Sequence, residues 1–318
     1  MDERQCGHTG LRVSDLGLGT YTWGRDTDPL EATDMLTHFV DAGGTLVECA
    51  PTHGDGMAVD ALSQAMTAVG RHRIVLAWRG ASRPTSAHTW VPSAGRGDML
   101  RSLDDTLSRL GTDYVDLWIG EFDPAIPIEE TLETLEAARR SGRAHYVGLS
   151  HPSQWDFACS VTRAALNAGP AITVVEDEVN LLNAQRTRPL IDRATGMGIG
   201  VFAHSPLAMG VLTGKYRHST PPDSRAASPH LRHLVEPYLQ PEFRGIVEAV
   251  VRAGEGLERT PTDVALAWVR HAAGITSTII GPRTLRQLDP LLESEVSLPD
   301  PIRQVLNEVA GLTGTQKH

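Results

Sequence analysis

The stretch Asp98–Ile119, DMLRSLDDTLSRLGTDYVDLWI, carries a helix and a strand in immediate succession. Met99, Leu103, Leu107 and Leu110 recur at the spacing of one helical face, with polar residues between them. Asp98 stands where a helix start wants an N-cap, and Tyr114–Ile119 is an apolar run of strand length. The same alternation extends in both directions. Strand-like runs occur at Gly44–Cys49, Ile74–Trp78, His145–Leu149, Ile172–Glu176, Ile199–Ala203 and Ser277–Ile280, with a weaker one at Leu16–Gly19. Helical periodicity returns at Ile128, Leu132 and Leu135, behind a proline, Pro127, at the expected N1 position. Strands separated by helices require parallel crossovers, and eight such units close into an α/β structure of the (β/α)8 TIM-barrel type. An N-terminal hairpin and long loops on the C-terminal face complete the expected architecture. The competing arrangement, an open doubly wound sheet, lacks the GxGxxG that would follow its first strand.

Nothing resembling a linker divides residues 1–318, so the chain reads as one domain. Two stretches are irregular. Residues 217–240 are rich in Pro, Ser and His and read as a lid-like loop, and residues 80–97, which include Trp90, follow a strand end. In a barrel such loops lie on the catalytic face, which makes both candidate pocket walls. No apolar run approaches the ~18 residues of a membrane span. The first residues, MDERQCGHTG, do not read as a signal peptide. Cys6, Cys49 and Cys159 are too few and scattered for a disulfide framework or a CxxC metal site, so a reducing cytoplasm is expected. The formal charge is −10 without a basic stripe, which argues against nucleic acid as a partner and leaves a small-molecule substrate. Lysine occurs only at Lys215 and Lys317, the remainder of the 29 basic residues being arginine, as a GC-rich coding sequence would favour. No HExxH or similar spacing points to a metal, and no stripe marks a subunit interface.

Several segments, in order, resemble the aldo-keto reductase family: Leu16–Thr20 (LGLGT), Asp113–Leu117 (DYVDL), Gly148–Ser150, Asn180–Leu182, Ser205–Leu207, Gly210–Tyr216 (GVLTGKY), and Ile280–Thr284 with Gln287 and Leu288. The resemblance runs from about residue 10 to residue 290. It implies a barrel that binds NADP(H) at the C-terminal strand ends and passes hydride between nicotinamide and a carbonyl. In the family a Tyr protonates the carbonyl oxygen, a Lys paired to an Asp tunes that Tyr, and a His orients the substrate.

The matching positions differ here. The family's Asp-Thr-Ala-x-x-Tyr-Gly corresponds to Glu48-Cys49-Ala50-Pro51-Thr52-His53-Gly54, and the strand that should end in Lys ends in Arg79. Gly120 or Glu121 falls at the expected His, so the resemblance gives a degenerate tetrad with all four positions substituted. A carboxylate, a cation and a protic group nevertheless remain. Glu48 and Arg79 are suited to a bidentate pair, or to a merely structural tie between strand ends. An imidazole at His53 exchanges protons near neutral pH without tuning, Arg79 lowering its pKa and Glu48 raising it. Glu121 is a second acid or base if it points inward. Cys49 reads as a small buried hydrophobe rather than a nucleophile.

For the cofactor, the resemblance implies contacts from Thr20, Ser150, His151, Glu176, His204, Ser205, Leu207, Gly210, Arg283 and Gln287. Arg283 and Gln287 match the adenosine end, and Gly210–Gly214 the pyrophosphate loop. Leu291 replaces a common adenine-binding Asn. At the nicotinamide end, Ser150-His151 replaces Ser-Asn, Glu176 replaces Gln, and His204 replaces a stacking aromatic. An ionised Glu176 favours the oxidised ring and accepts but cannot donate a hydrogen bond. Three functions follow: an enzyme rebuilt around His53 for elimination, isomerisation or cyclisation; an NADP(H)-dependent oxidoreductase with His53 as proton donor; or a non-catalytic binding or regulatory protein on the same scaffold.

Overall fold

A hairpin of β1 (Glu3–Gln5) and β2 (Arg12–Ser14), antiparallel, opens the chain and leads into the barrel. The computed structural model describes residues 1–80, 82–86, 89–166, 169–294 and 296–312. The barrel strands are β3 (Leu16–Gly19), β4 (Leu46–Cys49), β5 (Val75–Arg79), β8 (Val115–Gly120), β9 (Ala144–Ser150), β10 (Ile172–Glu178), β11 (Gly200–His204) and β12 (Ser277–Ile280). They close in the order β10-β11-β12-β3-β4-β5-β8-β9, every pair parallel. The expected TIM barrel with its N-terminal hairpin is therefore present. Between β5 and β8 lies a second hairpin, β6 (Ser82–Ser86) with β7 (Thr89–Pro92). No helix among the described residues is long and apolar enough to cross a membrane.

Eleven helices accompany the strands: α1 (Pro29–Asp41), α2 (Ala58–Val69), α3 (Arg96–Leu110), α4 (Ile128–Arg140), α5 (Gln154–Ala165), α6 (Ala184–Gly196), α7 (Arg232–Val235), α8 (Arg244–Leu257), α9 (Pro261–Arg270), α10 (Leu285–Glu293) and α11 (Asp300–Val309) among the described residues. In α3 the apolar stripe falls as the spacing predicts, but the start differs. Gly95 is the N-cap and Asp98 lies in the first turn, where its carboxylate accepts from Ser93 Oγ and faces the positive helix end. Pro127 is likewise the N-cap of α4 rather than its first residue.

The alternation of strand side chains divides the core in two. Leu46, Ala77, Leu117, Ile119, Val174, Phe202 and Ile279 fill the barrel interior, and Cys6, Leu11 and Val13 of the N-terminal hairpin pack among them. Their neighbours one residue on, such as Val47, Trp78, Trp118 and Val175, face the helices. This phase decides where the site residues point.

Residues 217–240 are an irregular connection that carries short helical turns. They contain a helical turn at Arg225–Ala227, then α7, then a turn at Glu236–Leu239, and Leu231 and Val235 are fully buried. Tyr238 Oη donates to Glu178 Oε1 at 2.6 Å, tying the segment to the end of β10.

Candidate active site

Two residues beyond the interior layer, the same alternation brings the next side chains inward. Leu46 leads to Glu48, Ala77 to Arg79, Ile119 to Glu121, Val174 to Glu176 and Phe202 to His204. Five strands thereby deliver charged or protic groups to one level at the C-terminal rim, where a TIM barrel has its active site. The phase also separates Gly120 from Glu121. The Gly120 α-carbon lies outward against Leu135 of α4, where a Cβ would meet Leu135 Cδ1 at 2.8 Å. Glu121 reaches Arg79, with Oε1 3.5 Å from Nη1.

Arg79 is the hub. Its Nε donates to Glu48 Oε1 at 3.0 Å and stands 3.4 Å from Glu176 Oε1, while Nη2 donates to His53 Nε2 at 3.2 Å. The expected bidentate pair with Glu48 is thus a single hydrogen bond, because the guanidinium fork is shared among Glu48, Glu121, Glu176 and His53. Burial would lower the Arg79 pKa, but the surrounding carboxylates, Glu48 foremost, raise it above its ordinary value.

His53 comes from the turn after β4. Its backbone N–H donates to Ala50 O at 3.1 Å, and Gly54 N–H donates to Tyr21 O at 2.9 Å. Gly54 has φ +56°, and a Cβ there would meet Trp23 O at 1.9 Å, so only glycine lets the turn lie this close to the β3–α1 loop. The ring is 1% exposed and edge-on to Tyr21, with centroids 5.3 Å apart. Because Arg79 can only donate, Nε2 accepts, and Nδ1–H then donates to Thr20 Oγ1 at 3.0 Å. Burial is the main reason its pKa falls to about 4; Glu48, 3.7 Å away, pulls it up and Arg79 pushes it down. His53 is consequently a neutral imidazole. Cys49 is fully buried, and burial pushes its thiol up to about 12, as a small core residue requires.

Beside this cluster, Glu176 is fully buried, and neither of its oxygens nor Ser150 Oγ makes a hydrogen bond. Burial, reinforced by Glu48 and opposed by Arg79, raises its carboxyl to about 8. His151 and His204 turn toward one another, Nε2 to Nε2 at 3.0 Å, and with Glu176 they place three ligand-type atoms within 4.8 Å of one another.

A cavity of about 630 Å³ runs outward from Tyr21, Glu48, His53 and Arg79, past His204, Ser205, Leu207 and Gly210, to Lys215, Arg225, Arg283, Gln287 and Leu291. Lys215, Arg225 and Arg283 lie close enough to repel one another, Asp223 offsetting part of this at Lys215 and Asp26 at Arg225. Arg225 donates to Gly281 O and Arg283 to Asp223 O. Burial lowers the pKa of Lys215 and Arg225, and mutual repulsion within the cluster lowers both further.

The structure thus gathers Glu48, His53, Arg79 and Glu121 around one guanidinium, and lines the cavity with His204, Ser205, Leu207, Gly210, Arg283 and Gln287. Thr20, Ser150, His151 and Glu176 are not in that lining: Thr20 holds His53, Ser150 and Glu176 are buried, and the exposed His151 meets His204. Sequence reading passed over Tyr21, Lys215 and Arg225. Tyr21 directly follows the LGLGT motif and Lys215 lies within GVLTGKY, so both had a signal; Arg225 comes from the segment expected to be a lid and had none. Residues 80–97 contribute no cavity wall among the described residues, and the Trp90 side chain lies outside what is described.

The profile of the Aldo/keto reductase family matches residues 15–303. An uncharacterized oxidoreductase, YrpG, of Bacillus subtilis (strain 168) is 30% identical, covering 97% of this chain and 96% of its own. A probable voltage-gated potassium channel subunit beta of Oryza sativa subsp. japonica is 29% identical over 93% and 94% of the two chains. Protein tas of Escherichia coli (strain K12) is 27% identical over 92% and 93%. Barrel, order of motifs and matched length agree: the chain belongs to the aldo/keto reductase family.

Proposed function

We propose that this protein is an enzyme of the aldo/keto reductase family that carries out acid/base conversion of a small anionic substrate, by elimination, isomerisation or cyclisation, rather than tyrosine-based carbonyl reduction. One observation carries the reading: His53, a buried neutral imidazole, lines the cavity beside the Arg79 guanidinium. A neutral imidazole accepts a proton, and a fixed cation next to it stabilises the anion that the proton leaves behind. In the resting geometry Arg79 occupies the Nε2 lone pair, so the substrate displaces that hydrogen bond while Glu48 keeps the guanidinium in place. Thr20 fixes the tautomer from the other side. The clustered cations Lys215, Arg225 and Arg283 suit a phosphate or carboxylate at the far end of the substrate.

The test is proton exchange. Small anionic keto and hydroxy acids, with and without a phosphate group, are incubated with the protein in D2O and followed by NMR. Deuterium incorporation or product formation that drops ~10²–10⁴-fold in His53→Ala supports general-base catalysis. Conversion that His53→Ala leaves unchanged rejects it.

The same cations favour a second reading, an NADP(H)-dependent oxidoreductase. Arg283, Lys215 and Arg225 fit the phosphates, and the buried Ser150 Oγ and Glu176 fit a carboxamide. When bound, the dinucleotide supplies or accepts hydride. A histidine kept neutral is a poor proton donor, which favours the oxidative direction in this reading, with His53 as acceptor.

A further inference from the structure

His151, Glu176 and His204 lie far apart in sequence but come from three adjacent parallel strands, directly after β9, within β10 and at the end of β11. Their ligand-type atoms fall within 4.8 Å of one another. Three further features distinguish the group from a chance cluster. The two imidazoles present Nε2 to each other at 3.0 Å. Each ring is held on its far side by a polar group: His151 Nδ1 lies 3.1 Å from Asp177 Oδ1, and His204 Nδ1 lies 3.0 Å from Ser205 Oγ. Since the Asp177 carboxylate accepts, His151 carries its proton on Nδ1 and leaves the Nε2 lone pair toward the cluster. Finally, Glu176 is fully buried beside them; its Oε1 stands 3.4 Å from the shared Arg79 guanidinium and neither oxygen makes a close hydrogen bond, which leaves room for a further partner.

We propose that His151 Nε2, His204 Nε2 and a Glu176 carboxylate oxygen bind one divalent transition-metal ion of the zinc or ferrous class. Two imidazoles and one carboxylate are the donor set such ions take, with coordination positions left for water or substrate; magnesium and calcium prefer oxygen donors. Asp177 and Ser205 supply the outer hydrogen bonds that orient the ligating rings. His204 lines the cavity, so the ion faces the space that holds the substrate. Arg79, 3.4 Å from Glu176, is neutralised by Glu48 and Glu121. The site stands whether or not His53 acts as a base. A nicotinamide carboxamide is the other group that would satisfy Glu176, and it competes for the same oxygens.

The experiment uses untagged full-length protein stripped with a chelator, titrated with Zn2+ by calorimetry and with Co2+ by visible absorption. The expected result is one ion per chain, with Co2+ bands of a low-coordinate nitrogen–oxygen site. His151→Asn, which tolerates the left-handed backbone there (φ +45°), His204→Ala and Glu176→Gln each weaken binding at least tenfold, and Asp177→Asn weakens it about tenfold through His151. Circular dichroism confirms that each variant is folded. Absence of saturable binding overturns the proposal, as does binding that persists in the His151→Asn/His204→Ala double variant. Tight NADP+ binding that depends on Glu176 and is indifferent to excess Zn2+ also overturns it, in favour of the carboxamide.

Discussion

His53 links stability to pH, and burial gives His204 a linkage of the same sign. The native pKa of His53 lies near 4 and its unfolded value near 6.5. Between those values the unfolded chain binds more protons, so stability falls as pH drops through this window and is fully present above it. A shift of that size in a fully buried group corresponds to about 3 kcal/mol. Urea unfolding across this range is expected to show that acid-side slope, and His53→Asn to reduce it while the part due to His204 remains; equal slopes would mean that the ring of His53 is not held neutral. Arg79 bears on stability more directly. Arg79→Leu strands the buried Glu48 carboxylate and is expected to cost about 3–5 kcal/mol. Arg79→Lys keeps the charge and should cost clearly less, with the unfolding midpoint in denaturant as the check. Much of this cluster was legible in the sequence, because Glu48, His53, Arg79 and Glu121 stand at strand ends matching one family motif after another. The sharing of one guanidinium among four partners was not, since it depends on side-chain reach across strands β4, β5, β8 and β10.

At the scale of elements, strand phase does most to build the site. The alternation that packs Leu46, Ala77, Ile119, Val174 and Phe202 inside the barrel also turns Glu48, Arg79, Glu121, Glu176 and His204 inward one step later. That rule was available from the sequence and would have chosen Glu121 over Gly120 without coordinates. The turn after β4 is the other decisive element. Gly54→Ala puts a methyl group against Trp23 O and forces alanine to φ +56°, so the turn must move. The expected loss is about 1–3 kcal/mol in thermal or urea unfolding, with reaction rate falling more than stability because His53 is displaced. Unchanged stability would contradict the close approach. In residues 217–240 the Pro, Ser and His content indicates a loop, while the short helical turns within it, anchored by Leu231 and Val235, leave little periodicity in the sequence.

Across the whole molecule the cavity has opposite electrostatic ends. Lys215, Arg225 and Arg283 crowd one end, and at the other Arg79 is paired with Glu48 in the lining and with Glu121 beside it. An anion at the first end relieves the repulsion among these cations. Pyrophosphate is therefore expected to raise the melting temperature in a salt-sensitive way, and Arg225→Gln to weaken its binding about tenfold, the loss of a charge-assisted contact worth ~1.4 kcal/mol. Equal binding by Arg225→Gln would remove that residue from the site. This polarity could not be read from the net charge of −10, which averages over both ends. The central claim is that proton transfer at His53, not hydride transfer, is the chemistry of this pocket. Its most direct test supplies NADPH carrying deuterium at the transferable position, in ordinary water, together with any substrate the protein converts. The predicted result is product without deuterium, NADPH unconsumed, and turnover lost in His53→Ala; deuterium carried from the cofactor into the product would contradict it.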